Sequence, residues 1–305
     1  MEYIERVFPF RGKVGKARVL ERQGNFDSAV AALLDIHQEW EQGHITLSDA
    51  PLVDLCLNIS WAIVSGRLEV RRAVGQACRT QAQQCLGQYF DTLRISEQII
   101  RLYNILANYE EWQGNPDGAI ENYDRALQIP GASQSGVSNL LVNKGIALRQ
   151  LGRLEPAALY GEQGVGVKTA IGDADQLPIA QHNLAQTYLE LAQASDDAQQ
   201  RQNCWQQAER HAQDGLTIQA RTGSIKKRGQ LFTERFLARW NLGTAVPADW
   251  QAVRDWLHAQ QAAGHASTYD FKVVIGELLG GQAPWKGQDA DALLAWQFEG
   301  VGASS

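Results

Sequence analysis

The residues best suited to metal binding or covalent chemistry are the four cysteines and six histidines, and their spacing favours neither. Cys78 and Cys85 lie seven residues apart on one helix face, which places their Cα atoms about 10 Å apart, too far for a disulfide. No CxxC pair occurs, and the histidines lack metal-ligand spacing. We therefore predict reduced, mostly buried thiols in a cytoplasmic protein, with no metal site. The other residues of this set are Cys56, Cys204, His37, His44, His182, His211, His258 and His265.

The glycines in residues 161–169 resemble a phosphate-binding loop only superficially. They precede Lys168 and Thr169, but their spacing differs from that of a P-loop, and the segment falls inside a predicted helix. The sequence also lacks the motifs of zinc proteases, of serine hydrolases and of EF-hands. We therefore predict that the chain is not an enzyme and that it needs no cofactor.

The composition predicts an all-α protein. Apolar residues make up 44% of the chain, only 8 of its 305 residues are proline, and Ala, Leu, Gln, Glu and Arg fill long stretches. The net charge of −6 argues against a protein that neutralises phosphates, although Lys226, Lys227 and Arg228 form a basic cluster near Arg235 and Arg239. The N-terminus lacks the apolar segment of a signal peptide, and no stretch approaches the roughly 18 apolar residues of a membrane span.

A helix–turn–helix unit recurs along the chain. Its clearest copy covers residues 102–130, where small residues at Ala107, Ala119 and Ala126 accompany a helix-ending Gly114. Small residues let two helices cross closely, and glycine supplies a left-handed helix cap. No single pair buries its apolar face alone, so the pairs must stack. Further copies cover residues 20–29, 143–157 and 183–208, the last with a long polar loop before a second helix that resumes near Cys204.

The order of small, glycine and aromatic residues in the clearest copy resembles the consensus of the tetratricopeptide repeat (TPR). The turns are 38 to 51 residues apart, against a standard period of about 34. This spacing is similar to that of kinesin light chains and of sensor arrays in signalling ATPases and transcriptional regulators. The resemblance, strongest over residues 98–220 and poor over 50–95, implies a right-handed α-superhelix of about five to six helix pairs with a concave groove. The turn positions are Gly24, Gly66, Gly114, Gly152, Ala192 and Gly243.

Two regions are predicted, a TPR-like array over residues 1–247 and a C-terminal helical cap over residues 248–305. Repeat arrays need caps with a polar outer face, which favours the capping role. The second region is also rich in tryptophan, which is typical of interfaces, so a docking or dimerisation surface is the alternative. Its tryptophans are Trp250, Trp256, Trp285 and Trp296.

In a TPR array the first helix of each pair lines the groove, and an Asn two residues before the small residue commonly contacts the backbone of a bound peptide. Asn143 and Asn183 occupy this position, whereas Ile105 takes it in the clearest copy. An Asn amide offers a donor and an acceptor, which match a peptide unit. The predicted binding residues are Arg101, Asn104, Asn108, Glu111, Asn139, Asn143, Arg149, His182, Asn183 and Gln186, with Ile146 and Glu190 as further candidates by helical phase.

The favoured function is therefore that of a scaffold or adaptor that binds another protein or peptide in its concave groove. The first alternative is a regulatory sensor that controls an effector on another chain. The second, less favoured, is a nucleic-acid-associated helical repeat, which rests on the basic cluster alone. No membrane partner is predicted, and an oligomer formed through the Trp-rich segment is left open.

Overall fold

The computed structural model describes residues 2–45, 47, 49–87, 96–223 and 227–262, and within them the chain contains twelve α-helices and no strand. The chain divides into two compact units, residues 1–147 and 148–305. The first unit contains α1 (Glu2–Arg22), α2 (Phe26–Glu41), α3 (Asp49–Ser65), α4 (Arg72–Gly87), α5 (Ser96–Trp112), α6 (Pro116–Leu127) and most of α7 (Gln134–Gln150). The described part of the second contains α8 (Leu154–Ala170), α9 (Leu177–Ala194), α10 (Ala198–Thr222), α11 (Arg228–Leu242) and α12 (Pro247–Ala262).

The helices follow one another as six pairs in chain order, and five of the pairs share a tight turn with one left-handed residue. That residue has φ of +76° at Gly24, +75° at Gly114, +70° at Gly152 and +73° at Gly243. In each turn the next amide bonds a carbonyl five residues earlier, as Asn115 N does to Glu110 O at 2.9 Å. This bond satisfies a carbonyl that the helix end would otherwise leave without a partner. The predicted glycine turns are confirmed at these four positions.

The turn between α3 and α4 uses a different residue from the one predicted. The left-handed position is Arg67, with φ of +47°, and Leu68 N bonds Ile63 O at 3.0 Å as in the other turns. Gly66 serves packing instead, because a Cβ at this position would lie 2.6 Å from the Cβ of Phe26. The segment 50–87, which resembles the consensus poorly, is therefore a helix pair with the same turn.

Replacing Arg67 by glycine should stabilise the protein by about 0.5–1 kcal/mol, because a left-handed conformation strains a residue that carries a Cβ. The Arg67 side chain is exposed, so no packing is lost. Urea denaturation of Arg67→Gly and of the reverse control Gly114→Ala tests this. The control should be destabilised, and equal midpoints for both variants and the wild type would contradict the strain at Arg67.

The turn between α9 and α10 departs from both the consensus and the sequence prediction. Helix α9 continues past Ala192 to residue 194 and is capped by Ser195 in an extended conformation. Helix α10 begins at Ala198, earlier than the predicted restart near Cys204. Asp197 caps it, since its carboxylate accepts a hydrogen bond from Gln200 N at 2.6 Å.

Small residues hold the helices of the first unit close together, as the sequence predicted. Ala107, Ala119 and Ala126 have no exposed surface, and the fully buried Tyr123 packs with them. The Tyr123 hydroxyl donates to a carboxylate oxygen of Glu111 at 2.8 Å, so the buried ring also satisfies its polar end. This cluster is the core of the unit that most resembles the TPR consensus.

Glycines have the same role in the second unit. A Cβ at Gly161 would lie 2.9 Å from Leu184, and one at Gly215 would lie 2.8 Å from Leu231. These two contacts bring α8 and α10 close to α9 and α11. Gly161 is thus a packing residue inside α8, and the segment predicted not to be a phosphate loop is helical throughout.

Helix α12 packs on α11 through its tryptophans. The ring of Trp250, which is 2% exposed, lies 5.2 Å from that of Phe236 between centroids. The Trp256 ring covers Gly229, where a Cβ would be 2.2 Å away. These two side chains therefore serve packing rather than docking. Trp285 and Trp296, with the rest of the predicted helical cap beyond residue 262, lie outside the described residues, and the boundary at residue 247/248 stays a prediction.

Candidate functional site

The first helices of three pairs, α3, α7 and α9, are buried on most sides and leave one narrow, partly exposed stripe. On α9 the stripe consists of Ile179, Asn183 and Gln186, and nearly all the residues between them are buried. The spacing of four and then three residues follows one face of an α-helix. The same spacing recurs at Asp54, Asn58 and Trp61 on α3 and at Asn139, Asn143 and Ile146 on α7.

The three stripes also align with one another relative to their turns. Asn58 lies nine residues before Arg67, and Asn143 lies nine residues before Gly152. Asn183 lies nine residues before Ala192, the aligned position in its repeat. The stripe therefore carries asparagine at the same place in three pairs. Two of these asparagines were predicted from the sequence, whereas Asn58 was not, because Gly66 was the predicted turn residue.

In the first unit the stripe residues form a polar network across three helices, which we call the first-unit face. Arg101 on α5 donates to Asp54 Oδ1 at 3.0 Å and to Asn58 Oδ1 at 2.9 Å. Asn143 Nδ2 on α7 donates to Asn104 Oδ1 at 3.0 Å. The first-unit face comprises Asp54, Asn58, Trp61, Arg101, Asn104, Asn108, Asn139, Asn143 and Ile146.

The network uses only part of the hydrogen-bonding capacity of its amides. Asn58 accepts from Arg101, and its Nδ2 makes no hydrogen bond within the described residues. Asn143 donates to Asn104, and its own Oδ1 has no donor there. Since an amide offers both functions, the face presents a free donor at Asn58 and a free acceptor at Asn143. A backbone peptide unit has the complementary pair of groups.

The first-unit face also contains a large aromatic side chain. Trp61 is 36% exposed, although tryptophan is rarely so accessible when it belongs only to a core. It follows Asn58 by one helical turn on the same stripe. Aromatic side chains that stand beside polar groups on a surface are typical anchors of protein ligands.

In the second unit, Asn183 and Gln186 of the α9 stripe, together with Glu190 one helical turn further on, form the second-unit face. The side chains of Asn183 and Gln186 make no hydrogen bond to any residue that the structure describes. Glu190 accepts from Arg149 Nη1 at 2.6 Å, so these two charges neutralise each other. The free groups of this face are therefore neutral amides.

Two predicted binding residues, His182 and Glu111, bond to side chains of neighbouring helices and do not belong to either face. His182 lies one residue off the α9 stripe, is buried, and pairs through Nδ1 with the buried Glu234 of α11. Glu111 accepts the hydrogen bond of the buried Tyr123. From helical phase, both residues were predicted to lie on or next to the exposed stripe. In the structure, each side chain contacts a neighbouring helix instead. We therefore leave both out of the two faces.

Lys144 and Glu162, which lie near the faces in sequence, each have a partner within their own unit. Lys144 is 6% exposed and donates to Asp124 at 2.5 Å, so it cannot reach a ligand on the first-unit face. Glu162 in the second unit has a lowered carboxyl pKa, because it accepts a hydrogen bond from His211, with further bonding from Tyr188. These ion pairs fix helices and leave the faces without a net excess of either charge.

The two arginines predicted near the basic cluster at residues 226–228 are paired with carboxylates. Arg239 donates to Glu209 at 2.7 Å and to Asp249 at 2.9 Å. Arg235 lies 3.3 Å from Asp249 as well. Lys226 lies outside the described residues. The arginines available for phosphate contact are therefore fewer than the sequence suggests.

Comparison with known proteins identifies the fold of this chain. No protein-family model and no curated protein matches the chain. A signal transduction ATPase with numerous domains from Pyrococcus horikoshii, which has a tetratricopeptide repeat sensor, aligns with a TM-score of 0.63 and 11% identity, over 93% of this chain and 41% of that one. The chain has a tetratricopeptide-repeat fold. The TPR resemblance recognised in residues 102–130 is thus confirmed by structure.

Two further structures agree with this TPR fold. The apo form of RapI aligns with a TM-score of 0.63 at 12% identity and covers 91% of both chains. BtubC from P. vanneervenii aligns with a TM-score of 0.51 at 15% identity, over 88% of this chain and 94% of its own. At such identities the likeness concerns the fold. In the described part of this TPR chain no helix is long and apolar enough to cross a membrane.

Proposed function

We propose that this TPR chain binds an extended segment of another protein or peptide through the stripe residues of its first helices, with each unit offering its own face. The observation that carries the proposal is the recurrence of asparagine at the same stripe position on α3, α7 and α9. In this binding mode amides bond the ligand backbone, and neighbouring side chains select its sequence. The chain would act as an adaptor through binding alone.

The chemistry of the first-unit face suggests how a ligand would lie on it. The free Nδ2 of Asn58 would donate to a peptide carbonyl, and the free Oδ1 of Asn143 would accept from a peptide N–H. The Trp61 ring would pack against an apolar ligand side chain one helical turn away. Because Asp54 and Arg101 neutralise each other, the face favours a ligand without a large net charge.

A peptide selected from a random display library on the intact chain tests the proposal. We expect the double change Asn58→Ala/Asn143→Ala to weaken its binding by about 2–4 kcal/mol, roughly 30- to 1000-fold, since each amide leaves a peptide group unpaired. Trp61→Ala should weaken it by about 1–3 kcal/mol through the lost apolar contact. Fluorescence anisotropy of the labelled peptide measures both.

The second-unit face has a closely matched control. Asn183→Ala/Gln186→Ala removes two amides three residues apart on α9, and Asn203→Ala/Gln206→Ala removes the same pair at exposed positions on α10. A peptide held by the second-unit face should lose affinity only with the first of these variants. Unchanged binding by all the first-helix variants would contradict the proposal.

A second candidate is a regulatory sensor that controls an effector on another chain. The similarity that favours it is to the signal transduction ATPase, whose TPR part is described as a sensor. A sensor would bind its signal through the same stripes and shift between two conformations. Nucleic-acid binding is the weakest candidate, and it would require an affinity that falls steeply as salt concentration rises.

A further inference from the structure

Among the described residues, one cluster outside the two faces has the composition of a metal site. His37 on α2, Cys56 on α3 and Cys78 on α4 bring their ligand atoms within 4.8 Å of one another. Cys56 and Cys78 are 0% and 3% exposed, so the sulfur atoms lie inside the first unit. Two thiols and an imidazole are the donors that a zinc ion prefers.

The histidine is oriented as a metal ligand would be. Its Nε2 faces the cluster and lies 3.1 Å from Oε1 of Gln81. Its Nδ1 faces outward and lies 3.5 Å from Oε1 of Glu41. Metal-binding histidines commonly place their second nitrogen against a carboxylate, which fixes the ring and the tautomer. Glu41 is in position for that role.

An oxygen atom faces two of the candidate ligands. Gln81 Oε1 lies 3.1 Å from His37 Nε2 and 3.3 Å from Cys56 Sγ, and the Cys56 thiol donates to it. An amide oxygen at this point adds a fourth donor to the imidazole and the two thiols. With it the cluster has four donors, the number that tetrahedral zinc requires.

The arrangement can contract to zinc geometry with small side-chain movements. Zinc–sulfur bonds of about 2.3 Å and zinc–nitrogen bonds of about 2.0–2.1 Å place tetrahedral ligand atoms roughly 3.3–3.8 Å apart. The observed separations of up to 4.8 Å are larger by an ångström or so. The outer end is accessible, because the side chains of His37 and Glu41 are 13% and 58% exposed.

We propose that His37 Nε2, Cys56 Sγ and Cys78 Sγ bind one Zn²⁺ ion, with Gln81 Oε1 or a water molecule as the fourth ligand and Glu41 orienting the histidine. On binding, the two thiols release their protons to solvent and coordinate as thiolates. The ion joins α2, α3 and α4 and so ties together the first two helix pairs. This inference is independent of the proposed peptide binding.

The site escapes sequence analysis because its ligands come from three helices. They are separated by 19 and 22 residues, which matches no short ligand motif. Only the folded stacking of α2, α3 and α4 brings them together. The prediction of no metal site was drawn from spacing alone, and spacing does not exclude such a cluster.

Zinc binding to the intact chain tests the proposal. The protein is reduced with a phosphine, stripped of metal with a chelator, and titrated with Zn²⁺ against a chromogenic competitor. We expect one tightly bound ion per chain and at least about 100-fold weaker binding by Cys56→Ser and by Cys78→Ser, each of which removes a thiolate ligand. Co²⁺ in place of Zn²⁺ should give tetrahedral ligand-field bands with thiolate charge transfer.

Two variants distinguish a metal site from a general effect on folding. Glu41→Gln changes an exposed side chain and should weaken Zn²⁺ binding by about 10–100-fold while the protein stays folded. Cys204→Ser removes a buried thiol of the second unit and should leave Zn²⁺ binding unchanged. The proposal is overturned if the wild type binds no more zinc than Cys56→Ser, or if Co²⁺ shows no thiolate band.

Discussion

The His182→Ala variant is expected to lose about 3–5 kcal/mol of unfolding free energy, because it leaves the Glu234 carboxylate buried without its partner. Glu234 is 5% exposed, and its second oxygen, Oε2, already lacks a hydrogen bond within the described residues. Chemical denaturation measures the loss. His258→Ala, at an exposed position on α12, is the matched control and should change stability by less than about 0.5 kcal/mol.

The His182–Glu234 pair also predicts how the free energy of unfolding depends on pH. Burial raises the pKa of the Glu234 carboxyl above its ordinary value of 4.5, and the charges of His182, Lys227 and Arg149 oppose that effect. A raised carboxyl pKa gives stability that is present below the unfolded value and is lost as pH rises through the folded value. Glu234→Gln cannot ionise, so its stability relative to the wild type should increase from about pH 4.5 towards neutral. A constant difference across this range would show that the pKa of the carboxyl is the same in the folded and unfolded states, which would contradict the raised value.

Trp250→Ala is expected to destabilise the protein by about 3–5 kcal/mol, since it removes the largest fully buried side chain in the described part of the second unit from its contact with Phe236. Thermal and chemical denaturation both measure this. Trp61→Ala is the matched control, because it removes the same type of side chain. Since this ring is partly exposed, its removal should lower the free energy of unfolding by less than about 2 kcal/mol.

The outcome of the Trp250 experiment separates packing from docking. If Trp250→Ala kept its stability but changed the mass measured by light scattering, the residue would belong to an interface between chains. The original prediction of an oligomer through the Trp-rich segment now depends on Trp285 and Trp296. Light scattering of the wild type at high concentration tests that prediction directly.

Local sequence patterns predicted the features that depend on short-range physics. The glycine turns and the small residues at helix crossings follow from backbone conformation and close packing, and both were found where predicted except at Gly66 and Ala192. Asn143 and Asn183 lie on their stripes because helical phase is reliable close to a well-placed turn. The turn at Arg67 could not be placed in this way, because a residue other than glycine at a left-handed position is not recognisable from the sequence. The asparagine nine residues before it was therefore overlooked.

Features that depend on which helices pack together could not be predicted from the sequence. His182 lies one position off its stripe, and whether it faces solvent or Glu234 is decided by the packing of α11 on α9. The cluster of His37, Cys56 and Cys78 likewise exists only because three helices converge. In both cases the residue types were visible, but the partners were set by contacts between elements distant in the chain.

The buried residues of α9 and those of its narrow exposed stripe are under different evolutionary constraints, although they belong to a single helix. Eleven of its residues are buried, and a change at any of them disturbs packing against a neighbouring helix. The side chains of Asn183 and Gln186 reach the surface and bond no other side chain in the described part of the protein, so substitution at these positions leaves the scaffold intact. A lineage of such proteins can therefore exchange one ligand for another by varying a few stripe residues, while the rest of the repeat remains under selection for packing alone.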